Sequence, residues 1–245
     1  MAALNDQIRD DENLEKGRRA EAVANFYLKL NGFFTLANFV LHKDRPAIDL
    51  STEVDLLAIR LEHSYEHVGG RQLKSCEKLA RIIGGRVCSA FLIVEVKASA
   101  CAINSAWDFR RDPRTALESH LYAIKRMGIV PIRKTEAVAS AVAKTGRWDG
   151  PEGIIQFLCV GSETGTEVGR PTILFREIAE FLVTRFQPLL PLKIPERPEG
   201  LRAWGDFGYD VTKFLKSHQK RDWGSDTVRE ELTQAVGRYV HCGTL

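Results

Sequence analysis

Phe91-Leu92-Ile93-Val94-Glu95-Val96-Lys97 is an apolar, partly β-branched run that carries two charges at its end. Alternate side chains of a strand point to opposite faces, so Glu95 and Lys97 share one face while Leu92, Val94 and Val96 share the other. Apolar residues on both faces mark an interior strand. Charges in such a strand are costly to bury unless each finds a counter-charge or a metal. Thr52-Glu53-Val54-Asp55-Leu56-Leu57-Ala58-Ile59 poses the same problem, with Asp55 between two apolar neighbours. Two carboxylates converging from neighbouring strands, with a main-chain carbonyl such as that of Val96, form a hard oxygen site suited to Mg2+, with Mn2+ as a substitute.

Outward from these strands the chain alternates between elements. The spacing of Leu14, Val23, Phe26, Tyr27 and Leu30 predicts a helix over 14–30, stopped by Asn31-Gly32. Residues 33–41 read as a strand, 42–51 as a polar break, and 53–61 as a second strand. The charged stretch 62–86 reads as an excursion from the sheet, helical over 73–83, and 90–98 is the strand that returns. Helical character follows over 113–127, a buried strand over 153–160 and an amphipathic helix over 172–186. This order predicts an α/β protein with a central mixed β-sheet flanked by helices. Prolines 188, 191, 195 and 198 place a boundary near 190. The division is a main domain over 1–190 and a C-terminal extension over 191–245, too short for a core of its own unless it docks on the first part or on a partner.

The composition is 44% hydrophobic and 27% charged, that of a soluble globular chain without a membrane-spanning run. A net charge of +3 from 35 basic and 32 acidic residues leans only slightly towards an anionic partner. The five cysteines are scattered and lack a C-x-x-C pair, which points away from a disulfide framework or structural zinc and towards a reducing cytoplasm. The polar, acidic start is unlike a signal peptide.

Asp55 followed by Glu95-Val96-Lys97 resembles the PD-(D/E)XK nuclease superfamily, which has an acidic residue on one strand and Glu-x-Lys on the next. Gly17-Arg18-Arg19-Ala20-Glu21 resembles the first-helix element of its Holliday-junction-resolvase and RecB-like branches. The resemblance covers roughly residues 14–187 and implies a restriction-endonuclease-like core. It implies a Mg2+-dependent nuclease that hydrolyses phosphodiester bonds in DNA, with RNA as an alternative substrate. The products would be a 5′-phosphate and a 3′-hydroxyl, and two copies would pair to cut two strands. Asp55, Glu95 and the Val96 carbonyl would hold the metal, Lys97 would act on the attacking water, and Glu21 would hold the water shell or a second metal. Arg18, Arg19, Arg110, Arg111 and Arg114 are candidates for the nucleic-acid backbone. The pattern departs from the family in two places. The helix after Glu-x-Lys offers His120 and Tyr122 where RecB-like members carry glutamine and tyrosine, and 40 residues separate Asp55 from Glu95. The subfamily therefore stays open. The alternative readings are a catalytically inactive member that binds nucleic acid or forms a complex, and a metal-dependent hydrolase of a small substrate.

Other motifs have plainer readings. His63-Ser64-Tyr65-Glu66-His67 matches an inverted zinc-protease pattern but runs straight on from a strand, so a loop or strand extension is expected. Gly161–Gly169 lacks the lysine of a phosphate loop and carries Glu163 and Glu167, so it reads as a turn. Lys216–Arg221 reads as a solvated basic run, and the tail aromatics, including Trp204 and Trp223, as packing residues. Cys101 reads as a small buried residue.

Overall fold

A computed structural model describes residues 2–41, 52–68, 71–85, 88–164, 170–187, 205–218 and 226–245. In chain order the elements are α1 (Ala2–Leu30), β1 (Phe34–Leu41), β2 (Thr52–Arg60), β3 (Glu66–Val68), β4 (Arg71–Leu73), α2 (Glu77–Ile82) and β5 (Ala90–Val96). There follow α3 (Pro113–Met127), a 3-10 turn (Ile132–Lys134), α4 (Thr135–Thr145), β6 (Arg147–Gly150) and β7 (Gly153–Gly161). The last elements are β8 (Thr172–Leu174), α5 (Phe175–Phe186), α6 (Asp206–Ser217) and α7 (Asp226–Cys242).

The main sheet runs β1-β2-β5-β7-β6, and β8 also pairs with β7. β1, β2 and β5 are antiparallel neighbours, whereas β5 and β7 are parallel. A parallel pair cannot be joined by a tight turn, and the α3–α4 segment provides the crossover. Because β5 is interior and alternates its side chains, it feeds two cores. Leu92, Val94 and Val96 join Leu56, Ala58, Leu158 and Val160 beneath α1, α5, α6 and α7. Ile93 joins Leu57, Ile155 and Phe157 beneath α3 and α4. The protein is thus a mixed sheet with helices on both faces.

Local chemistry sets the helix ends. Asp112 accepts a hydrogen bond from the Thr115 amide at 3.1 Å, Pro113 opens α3, and Gly128, at φ 65°, closes it. Glu177 of α5 accepts from the Leu174 amide at 2.8 Å. The carbonyls near the end of α4 are taken by Arg170, which donates to Val142 and Ala143.

Several expectations shift. α1 begins a dozen residues before Leu14, which is 55% exposed and touches no core. The excursion after β2 is a β3–β4 hairpin with a helix of only six residues. Thr172–Leu174 is a strand, paired with Cys159–Gly161, and the helix starts only at Phe175. α4 and β6 were not foreseen. The buried face of α4 is Val138, Ala139, Val142 and Ala143, small residues whose apolar signal is weak. α6 and α7 bury Phe207, Val211, Leu215, Val228, Leu232 and Val236 in the same core as α1. The extension therefore docks on the first part of the chain. The break over 42–51, the connector prolines, Trp204 and Trp223 lie outside the described residues.

Candidate metal centre

The β2–β5 ladder is paired through Leu56 and Val94. One step further the same register sets Asp55 against Glu95. Here the Asp55 carboxylate accepts from the Val96 amide at 2.6 Å. The side chain thus takes the place that strand backbone would otherwise occupy.

A reversal of facing accompanies this step. Val54 packs in the α3–α4 core and Leu56 in the α1 core, although residues two apart on a regular strand share a face. Across the ladder, Thr35 donates to Asn25 of α1 at 2.6 Å, whereas Phe39 packs on the α3 side, with Arg126 over its ring at 5.1 Å. Thr35 and Phe39 should also share a face. Between them stands Asn38 at φ 52°, opposite Asp55 in the register. Asparagine tolerates the left-handed region better than other residues with a Cβ, which makes Asn38 the hinge of the twist.

Glu95 is 4% exposed and pairs with Lys97 at 2.5 Å, and the Asn104 amide also donates to it. Burial and then the charge of Asp55 push its carboxyl up to about 7, against the opposing pull of Lys97. Asp55 is raised by burial, offset by the Val96 amide and Lys97. Glu21, projecting from α1, also stands at about 7, through burial first and then the charges of Asp55 and Glu53. Lys97 is held above its ordinary range: the attraction of Glu95 and Asp55 outweighs burial. Glu21, Asp55, Glu95 and Lys97 therefore share one electrostatic field. Glu53 belongs to that field and was not singled out; its place two residues before Asp55 was the available signal.

The donor set is of the chemical kind that a hard divalent cation takes. Its oxygens are carboxylates, and their mutual repulsion is what a positive ion would relieve. Among the described residues, however, no three His, Cys, Asp or Glu side chains are gathered at metal-holding spacing. The remaining candidates have partners of their own. Arg18 pairs with Glu15 at 2.7 Å, Arg110 and Arg111 flank buried Asp108, each at 3.5 Å, and Arg114 faces Glu118 at 3.6 Å. Arg19 instead donates to the Val240 and His241 carbonyls and so caps α7. His120 is buried against Trp107, with Nδ1 donating to the Ala116 carbonyl at 2.7 Å, and burial holds it at about 4. His63 lies in the loop after β2 and Glu66 in β3, where Glu66 pairs with Arg185. A cavity of about 650 Å3 between α2 and α5, lined by Lys78, Arg81, Glu177 and Arg185 among others, shares no residue with the carboxylate site.

No family model matches the chain, and no curated protein or solved structure matches it. Among the described residues no helix is long and apolar enough to cross a membrane.

Proposed function

We propose that the protein is a metal-dependent nuclease of the restriction-endonuclease-like fold that hydrolyses phosphodiester bonds in DNA. The observation that carries this reading is the fork between β2 and β5, where Asp55 takes the Val96 amide directly beside the Glu95–Lys97 pair. Asp55 and Glu95 would hold Mg2+ or Mn2+, which when bound supplies Lewis acidity to the phosphate and lowers the pKa of water. Lys97 carries an ammonium that can orient the attacking water and face the charge developing on the phosphate oxygens. Glu21, half-protonated near neutrality, is poised to accept a proton. Arg18, Arg110, Arg111 and Arg114 are exposed and supply positive charge for the substrate backbone. In this reading two copies pair to cut two strands.

A second reading has its own observation. The carboxylates are not gathered as a ready three-ligand set, and Glu95 is already neutralised by Lys97. This favours a catalytically inactive protein of the same fold that binds nucleic acid or forms a complex.

Labelled single-stranded, duplex, nicked and branched DNA and RNA, incubated with Mg2+, Mn2+ or EDTA, separate the two. Metal-dependent cleavage that falls by about 100-fold or more in both Asp55→Ala and Lys97→Ala is expected. Binding without cleavage, or equal cleavage by wild type and both variants, supports the second reading.

A further inference from the structure

Beyond the charged groups, two thiols meet at the floor of the same site. Residues 99–101 run alongside 161–163: the Ser162 amide donates to Ser99 at 3.0 Å, and the Cys101 amide to Glu163 at 3.0 Å. This lays Cys101 over Gly161, where a Cβ would stand 2.8 Å from its sulfur. Only glycine leaves that space. Cys159, two residues earlier on β7, is paired in register with Glu95 on one side and Thr172 on the other. Residues two apart on a strand share a face, so Cys159 stands on the face of β7 that Cys101 covers, and the two thiols lie close enough to influence each other. Both cysteines are reduced, and they are 5% and 2% exposed.

We propose that Cys101 and Cys159 are a redox pair that closes to a disulfide when a peroxide reaches the site. The Cys101 sulfur attacks one peroxide oxygen and the O–O bond breaks. Its proton leaves with the departing hydroxide as water, and a sulfenic acid remains on Cys101. The Cys159 sulfur then attacks the Cys101 sulfur, forming the S–S bond and releasing a second water that carries the Cys159 proton. Two thiols are oxidised by two electrons and one peroxide is reduced to two waters. Closure brings the two sulfurs to about 2.05 Å. It pulls residues 99–101 towards β7, and with them the chain that leads from Lys97, whose own amide donates to Val160 at 2.8 Å. That oxidation thereby adjusts the Glu95–Lys97 pair as a catalytic element rests on the nuclease reading; the bond itself does not.

The test is peptide mapping by mass spectrometry of the folded full chain after treatment with hydrogen peroxide, without reductant. A single link between the Cys101 and Cys159 peptides, with the loss of two hydrogens and reversal by dithiothreitol, is expected. The link should vanish in Cys101→Ser and in Cys159→Ser and persist in Cys242→Ser, with circular dichroism confirming that each variant is folded. A sulfinic or sulfonic acid at Cys101 without the link overturns the proposal. So do links through Cys76, Cys88 or Cys242 in its place, or a Cys101–Cys159 link found only in unfolded chain. A missing link leaves the nuclease reading standing, and missing cleavage leaves the redox pair standing, so the two fail separately.

Discussion

Asn38 and Asp55 occupy one cross-strand position, and the behaviour of each depends on the other. A left-handed residue turns the faces of β1 and β2 over, and the turn frees the Asp55 carboxylate to meet the Val96 amide instead of a core. Asn38→Val places a β-branched side chain at φ 52° and is expected to cost about 1–2 kcal/mol, read from the urea midpoint. Asn38→Gly keeps the twist and should stay much nearer wild type. The charges at the fork make a second prediction. Glu21 and Glu95 are raised from 4.5 to about 7, so between those values the folded chain keeps protons that the unfolded chain has released. The stability this contributes is full below about 4.5 and is lost as pH rises through about 7. A divalent ion held by these carboxylates would relieve that loss. Under the nuclease reading, saturating Mg2+ or Mn2+ should raise the melting temperature more at about pH 8 than at about pH 5. An equal shift at both values would separate the ion from these carboxyls. Buried His120 works in the opposite sense: held at about 4 against 6.5, it contributes stability above 6.5 that is lost as pH falls towards 4. The metal comparison is therefore made as a difference at each pH.

At the scale of elements, α6 and α7 complete the core over α1. Phe207 of α6 meets Phe26 of α1 edge-on at 5.5 Å and Tyr239 of α7 at 4.8 Å. Phe207→Ala removes a ring from a 1% exposed position and should cost about 3–5 kcal/mol, measured by denaturant unfolding. The α1 helix that carries Glu21 is clasped by the same packing, and Arg19, whose guanidinium lies beside Gly243, ties it to the end of α7. Under the nuclease reading, loss of Phe207 should therefore also weaken the site, visible as a smaller metal-induced shift in melting temperature. The sequence marked the tail aromatics as packing residues and the extension as needing a surface, but left open whether the first part of the chain or a partner supplies it. An amphipathic stripe such as Phe207, Val211 and Leu215 shows that a helix has a buried face but carries no mark of the surface that covers it.

For the whole molecule, the sequence by itself determined the mixed α/β class, the first helix and the strands β1, β2, β5 and β7, the interior position of β5 and the shared face of Glu95 and Lys97. The last two follow from a period of two and from the cost of burying charge, both local properties of a strand. It also marked Asp55 as a carboxylate that needs a partner. The tertiary structure alone decided what that partner is, because the Val96 amide lies 41 residues away and is reached only where β2 and β5 part. It decided that β1 and β2 reverse their faces, which a strict period of two cannot express. It brought Cys101 beside Cys159, which are 58 residues apart, through a parallel pairing that needs the α3–α4 crossover. It also took Arg19 from the exposed arginines and set it against the α7 carbonyls. In each case the deciding contact is long-range, and its free energy exists only once separate segments have been packed together.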